Sequence, residues 1–447
     1  MSMSGSWTRR QWLASMAAAP AIAQTSRKPN VVLIVGDDLG YGDIGCYGQS
    51  EIRTPNIDRL AGDGLRFTQA YSGSTVCAPS RCALMTGKHT GHATVRGNLD
   101  PHVPLTPDET TIAQIFQRAG YRTGAFGKWG LGTMPDLHAL PTRKGFDTFY
   151  GYLHQVHAHT YYPDMLWDNE RETFIPQNFG GGRKKYSHDL IAERALKFID
   201  DNKDGPFFLY APFTLPHGKF EAPDDEPYSA KPWPAAARNL AAMITRLDAS
   251  VGQIMERLQR HRVDRDTLVI FTSDNGPVKL GADNFRSNGP LRGIKRDLYE
   301  GGIRVPFITR WAGRIKPGTS HEVLAAWDLL PTFAELTDQP APKSLDGVPA
   351  LKALLGTGPA PAPDRPLYWE FHEGGFKQAV RWRNWKAVRE GEKGPVELYD
   401  LAADISEKNN VAAGEVKVVA QMTRILDTAR TPSDLWKPKA RRAQGLG

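Results

Sequence analysis

Asn30-Val31-Val32-Leu33-Ile34-Val35-Gly36, followed at once by Asp37-Asp38, is the stretch that sets the fold. The run is apolar and rich in β-branched residues, with no alternation. That pattern predicts a central strand buried on both faces. Phe207-Phe208-Leu209-Tyr210-Ala211 and Thr267-Leu268-Val269-Ile270-Phe271-Thr272 are similar runs, and the second leads into Ser273-Asp274-Asn275. Helical spacing separates them. From Ser187 to Asp201, Ile191, Ala195, Phe198 and Ile199 share one helix face. From Ala235 to His261, Leu240, Met243, Ile244, Leu247, Val251, Ile254 and Leu258 mark a long amphipathic helix. Strands alternating with helices predict an α/β fold, with a large, mainly parallel central sheet flanked by helices. Ligands in such sheets bind beyond the carboxyl ends of the strands, where two of these runs place acidic residues.

Beyond residue 335 the texture changes. Residues 336–366 are rich in Pro, Ala and Gly and read as a connecting loop. Short strand candidates follow closely at Leu367–Phe371, Gln378–Arg383, Trp385–Arg389 and Val396–Tyr399, with a last helix from Glu415 to Ala429. This predicts a small C-terminal α+β subdomain with an antiparallel sheet. At the other end, Thr8-Arg9-Arg10-Gln11-Trp12-Leu13 sets twin arginines before an apolar stretch that closes on Ala21-Ile22-Ala23. That is the pattern of a twin-arginine signal peptide over 1–23, which implies the twin-arginine export machinery as a partner and a periplasmic or secreted protein of bacterial type. The expected division is signal 1–23, catalytic domain 24–340, and linker with C-terminal subdomain 341–447.

Of the 447 residues, 40% are hydrophobic and 23% charged, which excludes an intrinsically disordered chain. The formal charge of +7 suits an anionic substrate. No basic stripe or stacking motif accompanies it, so nucleic acid is not an expected partner. No stretch reaches 18 consecutive apolar residues, so no membrane span is expected. Three cysteines, Cys46, Cys77 and Cys82, cannot staple a chain of this length, and the fold must rest on its core.

Cys77-Ala78-Pro79-Ser80-Arg81-Cys82-Ala83-Leu84-Met85-Thr86-Gly87 carries the densest chemistry. Pro79 suits a first helical turn, so Cys77 stands at a helix N-terminus where negative charge is favoured. Arg81 lies one turn on and can point back. The segment reads either as an acidified, nucleophilic cysteine or as a small buried one. Asp37-Asp38 read either as turn residues or, with Asp274-Asn275 at an equivalent strand end, as hard oxygen ligands for Ca²⁺ or Mg²⁺.

The segment resembles the sulfatase signature C-x-P-S-R-x-x-L-x-T-G of the formylglycine-dependent (type I) sulfatases, within the alkaline-phosphatase-like superfamily. Bacterial carbohydrate sulfatases and arylsulfatases belong to this family. Asp37-Asp38, Gly127-Lys128-Trp129, Pro216-His217, Ser273-Asp274-Asn275-Gly276, Gly293-Ile294-Lys295 and Tyr299-Glu300-Gly301-Gly302 follow the family order, as do Trp385-Lys386 and Glu397-Leu398-Tyr399-Asp400. The resemblance implies a sulfuric ester hydrolase in which a maturation enzyme oxidises Cys77 to Cα-formylglycine (3-oxoalanine). Its hydrate attacks sulfur, and its second hydroxyl later expels sulfate. It implies Asp37, Asp38, Cys77, Asp274 and Asn275 around a metal, with Ca²⁺ favoured and Mg²⁺ possible. Arg81 would hold the diol, Lys128 the diol and sulfate, and His217 and Lys295 the sulfate oxygens and departing alcohol. Taken singly, Lys128 and Lys295 could be solvated surface lysines, and His217 a turn residue. With Cys77 converted, Cys46 and Cys82 remain as free thiols or one bridge.

One departure stands out. The family commonly reads G-K-W-H-L-G, with the histidine at the diol, whereas this chain reads Gly127-Lys128-Trp129-Gly130-Leu131-Gly132. His157 or His159 could line the substrate pocket and partly replace that group, or contact only solvent and core. Tyr161, Tyr162 and Trp167 could stack on a sugar or pack a loop, and His89, His92 and Arg96 could add polar groups near the nucleophile. The expected substrate is a sulfated carbohydrate, galactose or N-acetylgalactosamine in type, ahead of an aryl sulfate. The rival readings are a phosphoester or phosphonate-ester hydrolase of the same superfamily, and a non-catalytic glycan-binding homologue.

Overall fold

The first strand, β1 (Asn30–Gly36), is buried along its whole length near the middle of a ten-stranded sheet. The computed structural model describes residues 28–98, 102–360 and 362–439, so the expected signal at 1–23 lies outside the described residues. The sheet also contains β2 (Leu65–Tyr71), β3 (Arg122–Lys128), β4 (Thr148–Tyr152), β5 (Met165–Asp168), β6 (Arg171–Phe174), β7 (Phe207–Pro212), β8 (Thr267–Ser273), β9 (Arg304–Arg310) and β10 (Gly318–Ala325). The spatial order is β10-β2-β9-β8-β1-β7-β3-β4-β5-β6. Pairing is parallel except where β9 meets β8 and β2, and where β5 meets β4 and β6. The mainly parallel sheet expected from the apolar runs is therefore present.

Helices α1 (Pro55–Gly62), α2 (Cys77–Thr86), α3 (Ile112–Arg118), α4 (Ser187–Asn202) and α5 (Ala235–Arg260) cover its faces. Val32 and Ile34 of β1 join a core with Ile57 of α1, Ile191 of α4 and Leu240 of α5. Val31, Leu33 and Val35 point the other way, into a core with Met85 of α2, Phe116 of α3 and Phe333 of the helix at Leu329–Leu336. Each such side chain contributes about 1.5–3 kcal/mol when fully buried. This is why β1 carries no charge until its carboxyl end.

The C-terminal strands β11 (Leu367–Phe371), β12 (Lys377–Trp382), β13 (Trp385–Glu390) and β14 (Val396–Asp400) form an antiparallel sheet. Alternation sorts its faces. Leu367, Trp369 and Phe371 pack with Val76 and Trp327, while Tyr368 and Val380 pack with Met422 and Leu426 of the helix Val416–Thr428. A buried ionic group fastens this sheet to the large one. Lys386 Nζ lies 2.9 Å from Glu300 Oε1 and 3.5 Å from Glu407 Oε1, and Tyr71 donates to Glu300 Oε2 at 2.6 Å. The stretch 336–366 is more than a loop. Ala350, Ala353 and Leu354, around the short helix Leu351–Leu354, are buried in the main core because alanines let the backbone approach closely.

Candidate active site

The parallel register brings the acids together. Gly36 of β1 sits opposite Ser273 of β8, so Asp37 and Asp274 leave adjacent strand ends side by side. Asp274 N continues the ladder to Gly36 O at 3.1 Å. On the other side of β1, the chain leaving β7 carries His217, and β3 beyond it ends at Lys128. Asp38 takes a left-handed backbone (φ +64°), and its N–H donates to Asp274 Oδ1 at 3.1 Å. Helix α2 begins at Cys77 above these strand ends.

Side chains converge from these elements, and all but Lys295 are buried. Cys77 Sγ is 3.3 Å from Asp37 Oδ1, 4.0 Å from Asp38 Oδ1 and 3.6 Å from Lys295 Nζ. Lys128 Nζ donates to Asp37 Oδ2 at 2.7 Å, and Lys295 Nζ to Asp38 at 2.7 Å. Arg81 donates to Asp274 Oδ2 through Nη2 at 2.7 Å and Nε at 3.1 Å, and to the Lys128 carbonyl at 2.7 Å. His217 Nε2 lies 3.6 Å from Asp38 Oδ2, and its Nδ1 is buried with no partner. Asn275 Nδ2 donates to Asp38 Oδ1 at 2.8 Å, which leaves Asn275 Oδ1 buried and without a donor.

These neighbours set the charges. Burial opposes ionisation of Asp37, but Lys128, His217 and Arg81 outweigh it and hold the carboxyl well below the usual range. Asp38 is lowered in the same contest, chiefly by Lys295. Asp274 goes the other way, pushed up to about 7 by burial and by Asp37. Burial pushes His217 down to about 4, so its imidazole is neutral at pH 7. Asp37 and Asp38, both ionised, and Asp274, part-protonated at pH 7, thus face the cations Arg81, Lys128 and Lys295. A divalent cation beside them would tip the site positive, and the oxygen donors Asp37, Asp38, Asp274 and Asn275 suit a hard ion. Ligand atoms of Asp37, Asp38, Cys77 and His217 all lie within 4.8 Å of one another.

Of the two readings of the Cys77 thiol, the structure favours the small buried cysteine over the acidified one. Burial, reinforced by Asp37, pushes the Cys77 thiol up, and Lys128 and Lys295 do not compensate. Arg81 spends its hydrogen bonds on Asp274 and the Lys128 carbonyl, with Nη2 also 3.3 Å from Asp37 Oδ2.

A cavity of about 680 Å³ opens over this cluster, lined by Asp38, His159, His217, Lys219, Lys295 and Arg296 among others. The family model described as Sulfatase matches residues 29–339, and the one for the N-sulphoglucosamine sulphohydrolase C-terminal region matches 294–431. The chain belongs to the sulfatase family. Human arylsulfatase A is 34% identical over 93% of this chain and 89% of its own length. The N-acetylgalactosamine-6-O-sulfatase of Bacteroides thetaiotaomicron is 30% identical, over 91% of this chain and 94% of its own. Among solved structures, Ps i-CgsB in complex with k-i-k-neocarrahexaose superposes with a TM-score of 0.80 at 31% identity, covering 90% of this sulfatase and 93% of that chain.

Other expected residues divide. His159 reaches the cavity and stacks on His217, with ring centroids 4.6 Å apart and planes 6° apart. His157 does not line it; its ring packs edge-on against Tyr152 at 4.9 Å. Arg96, expected near the substrate, is engaged within the protein. It is buried against Glu370 at 2.9 Å and against the Ala93 and Thr431 carbonyls, joining the signature region to the C-terminal sheet. Tyr161 offers no face to a sugar. It is fully buried, and its hydroxyl lies 2.7 Å from the carbonyls of both Thr214 and His217, which fixes the His217 turn. Tyr162 lies under Arg183, and Trp167 packs on the main core. His89 and His92 are held by Asp346. Cys46 and Cys82 are both free thiols. No described helix is long and apolar enough to cross a membrane. Lys219, Arg296 and Gln155 were not singled out by the sequence. Glycine in place of the usual histidine at 130 signals a missing side chain, but nothing in the local pattern names its complement.

Proposed function

We propose that this sulfatase hydrolyses sulfate monoesters of a carbohydrate at residue 77, with galactose- or N-acetylgalactosamine-type sulfates as the first candidates. The observation that carries this is the convergence of Cys77 with Lys295 and, through Asp37, with Lys128, backed by Arg81, at a cavity of about 680 Å³. Sugar specificity rests on the full-length similarity to an N-acetylgalactosamine-6-O-sulfatase. Once formed and loaded, formylglycine at 77 supplies a hydrated aldehyde as nucleophile, and Ca²⁺ held by Asp37, Asp38, Asp274 and Asn275 supplies fixed positive charge, with Mg²⁺ the alternative ion.

The protein's own groups do the rest. Each lysine ammonium has three N–H donors, so Lys128 and Lys295 can keep their carboxylates and still bind sulfate oxygens. Arg81 fixes Asp274 and the backbone at Lys128, and so sets the distance between β3 and β8 under the nucleophile. His217 is neutral in the free site. A sulfate anion beside it favours its protonated form, which can then give a proton to the departing alcohol oxygen. The reading includes a formylglycine-generating enzyme acting on Cys77, export by the twin-arginine route through 1–23, and a catalytic domain at 24–340 with a subdomain at 341–447.

Peptide mass analysis across Cys77, with parallel assays on an aryl sulfate and an aryl phosphate, tests this. The expected result is loss of the thiol sulfur, gain of an aldehyde and preference for sulfate. An unmodified thiol in active protein, or faster phosphate turnover, would overturn it.

A further inference from the structure

Gln155 is a buried group that the roles above leave unused. Gly130 lies two residues past Lys128 and has φ +74°. A Cβ built there would stand 2.4 Å from Gln155 Nε2 and 3.0 Å from its Cδ. The carboxamide therefore fills the room that a side chain at 130 would take, and both the backbone and the space select glycine. The surrounding backbone is fixed. Trp129 N donates to Tyr152 O at 2.8 Å, and Gly130 N to Leu153 O at 3.0 Å. The Gln155 carbonyl accepts from Ala158 N at 3.2 Å, within the turn that carries His159 to His217. Gln155 is thus tied to Gly130 at the carboxyl edge of β3, two residues beyond Lys128 in the chain, and lies four residues before His159, which lines the cavity. It is 8% exposed, yet Nε2 has no hydrogen-bond partner. A buried amide N–H without an acceptor is destabilising, and native proteins keep few of them.

We propose that Gln155 is a substrate-binding residue whose Nε2–H donates to an oxygen of the sulfate group held beside Lys128. The anion is the acceptor that the amide lacks in the free protein. A carboxamide does not titrate, so this donor is present at every working pH, unlike an imidazole in the same space. The proposal rests on the sulfatase reading and adds a residue to its anion site.

The test uses the calcium-loaded enzyme and inorganic sulfate as the probe, followed by calorimetric titration, with kcat/KM on an aryl sulfate alongside. Gln155→Leu removes the donor at similar volume. Sulfate affinity should fall about 10-fold or more, while the melting temperature without sulfate holds or rises. Gln155→Glu keeps the shape but places a charge there. Its sulfate affinity should be poor at pH 7 and recover as pH falls toward the carboxyl pKa, at or above about 4.3, since the protonated acid donates again. Wild type gains affinity in acid only through His217, which titrates near 4 in the free protein, so the signature is a larger recovery in Gln155→Glu than in wild type over the same pH range, which a purely structural role would not produce. Should Gln155→Leu fail to fold, Gln155→Glu carries the test. If wild type binds sulfate and turns over aryl sulfate while both variants match it within about twofold, Gln155 is not a ligand and the sulfatase reading stands. If wild type does neither, both fall.

Discussion

Replacing Lys128 with methionine should destabilise the protein and abolish most turnover, and the two losses have separable causes. Lys128 and Asp37 are both fully buried, with Nζ 2.7 Å from Oδ2. Breaking a buried pair by removing one partner costs about 3–5 kcal/mol, because the remaining charge is left in low dielectric. Here Arg81 Nη2 stays 3.3 Å from the same oxygen, which places the expected loss near ~3 kcal/mol, the lower end of that range. The pH dependence follows from Asp37. Its folded pKa is held well below the usual value by Lys128 first among its cationic neighbours. A depressed carboxyl contributes stability that is present above its unfolded pKa of about 3.9 and lost as pH falls through the folded value. Lys128→Met shrinks that contribution, so the gap between wild type and variant should be full at pH 7 and narrow below about pH 4. Denaturant unfolding of the metal-free proteins at a series of pH values measures it. Turnover should fall by roughly 10²–10³-fold from loss of one positioned cation at the developing charge. A gap under about 1 kcal/mol at pH 7, or one that does not narrow in acid, would refute the reasoning that this pair is a buried, mutually dependent unit.

Three further outcomes follow from placements in the structure. Arg96→Met should cost about 1.5–3 kcal/mol by urea unfolding and leave kcat/KM within about twofold, because Glu370 keeps Arg430 at 2.7 Å and His372 at 3.0 Å and Arg96 lies outside the cavity. Lys386→Met should cost about 3–5 kcal/mol, since it leaves Glu300 and Glu407 facing each other. Glu300 is held at about 2 against the opposing effect of burial, chiefly by Lys386. Its contribution is therefore present above its unfolded pKa of about 4.3 and lost as pH falls through about 2, so the variant should unfold in acid at a higher pH than wild type. His159→Ala should raise KM for a sulfated saccharide several-fold, roughly the 1 kcal/mol of a ring contact, while His157→Ala leaves kinetics unchanged; equal effects would contradict their placement.

The fold was legible where burial is complete. A parallel strand covered on both faces must be apolar throughout, so β1, β7 and β8 announce themselves, and their polar carboxyl ends mark the site. The C-terminal strands were legible through their shortness and close spacing, within about a residue at each end. The state of the Cys77 thiol was not. A helix terminus is worth about 0.3–1 kcal/mol to a nearby charge, and full burial beside Asp37 costs a thiolate more than that. Neighbours in sequence also misled. Arg96 lies 19 residues past Cys77, but its partner Glu370 is 274 residues away in another sheet. Tyr161 reads as a stacking aromatic until its hydroxyl is seen between two backbone carbonyls.

Position 130 shows why such cases escape a linear reading. A motif constrains residues by what each does at its own place. Complementation across space constrains only the sum of two places. Glycine at 130 is informative because something must fill the room above it, and the parallel pairing of β3 with β4 decides what can. That register brings the chain leaving β4 alongside Trp129 and Gly130, so residue 155 reaches a space owned in sequence by residue 130. A histidine at 130 would require Gln155 to move, and a smaller residue at 155 would open a void over Gly130. The two positions are therefore one steric unit. Gly130→His alone should be destabilising through a left-handed backbone and a clash, whereas pairing it with Gln155→Gly removes the clash and leaves only the backbone strain. Recovery of stability in the double variant, measured as a coupling energy in a double-mutant cycle, is the direct signature of that shared space.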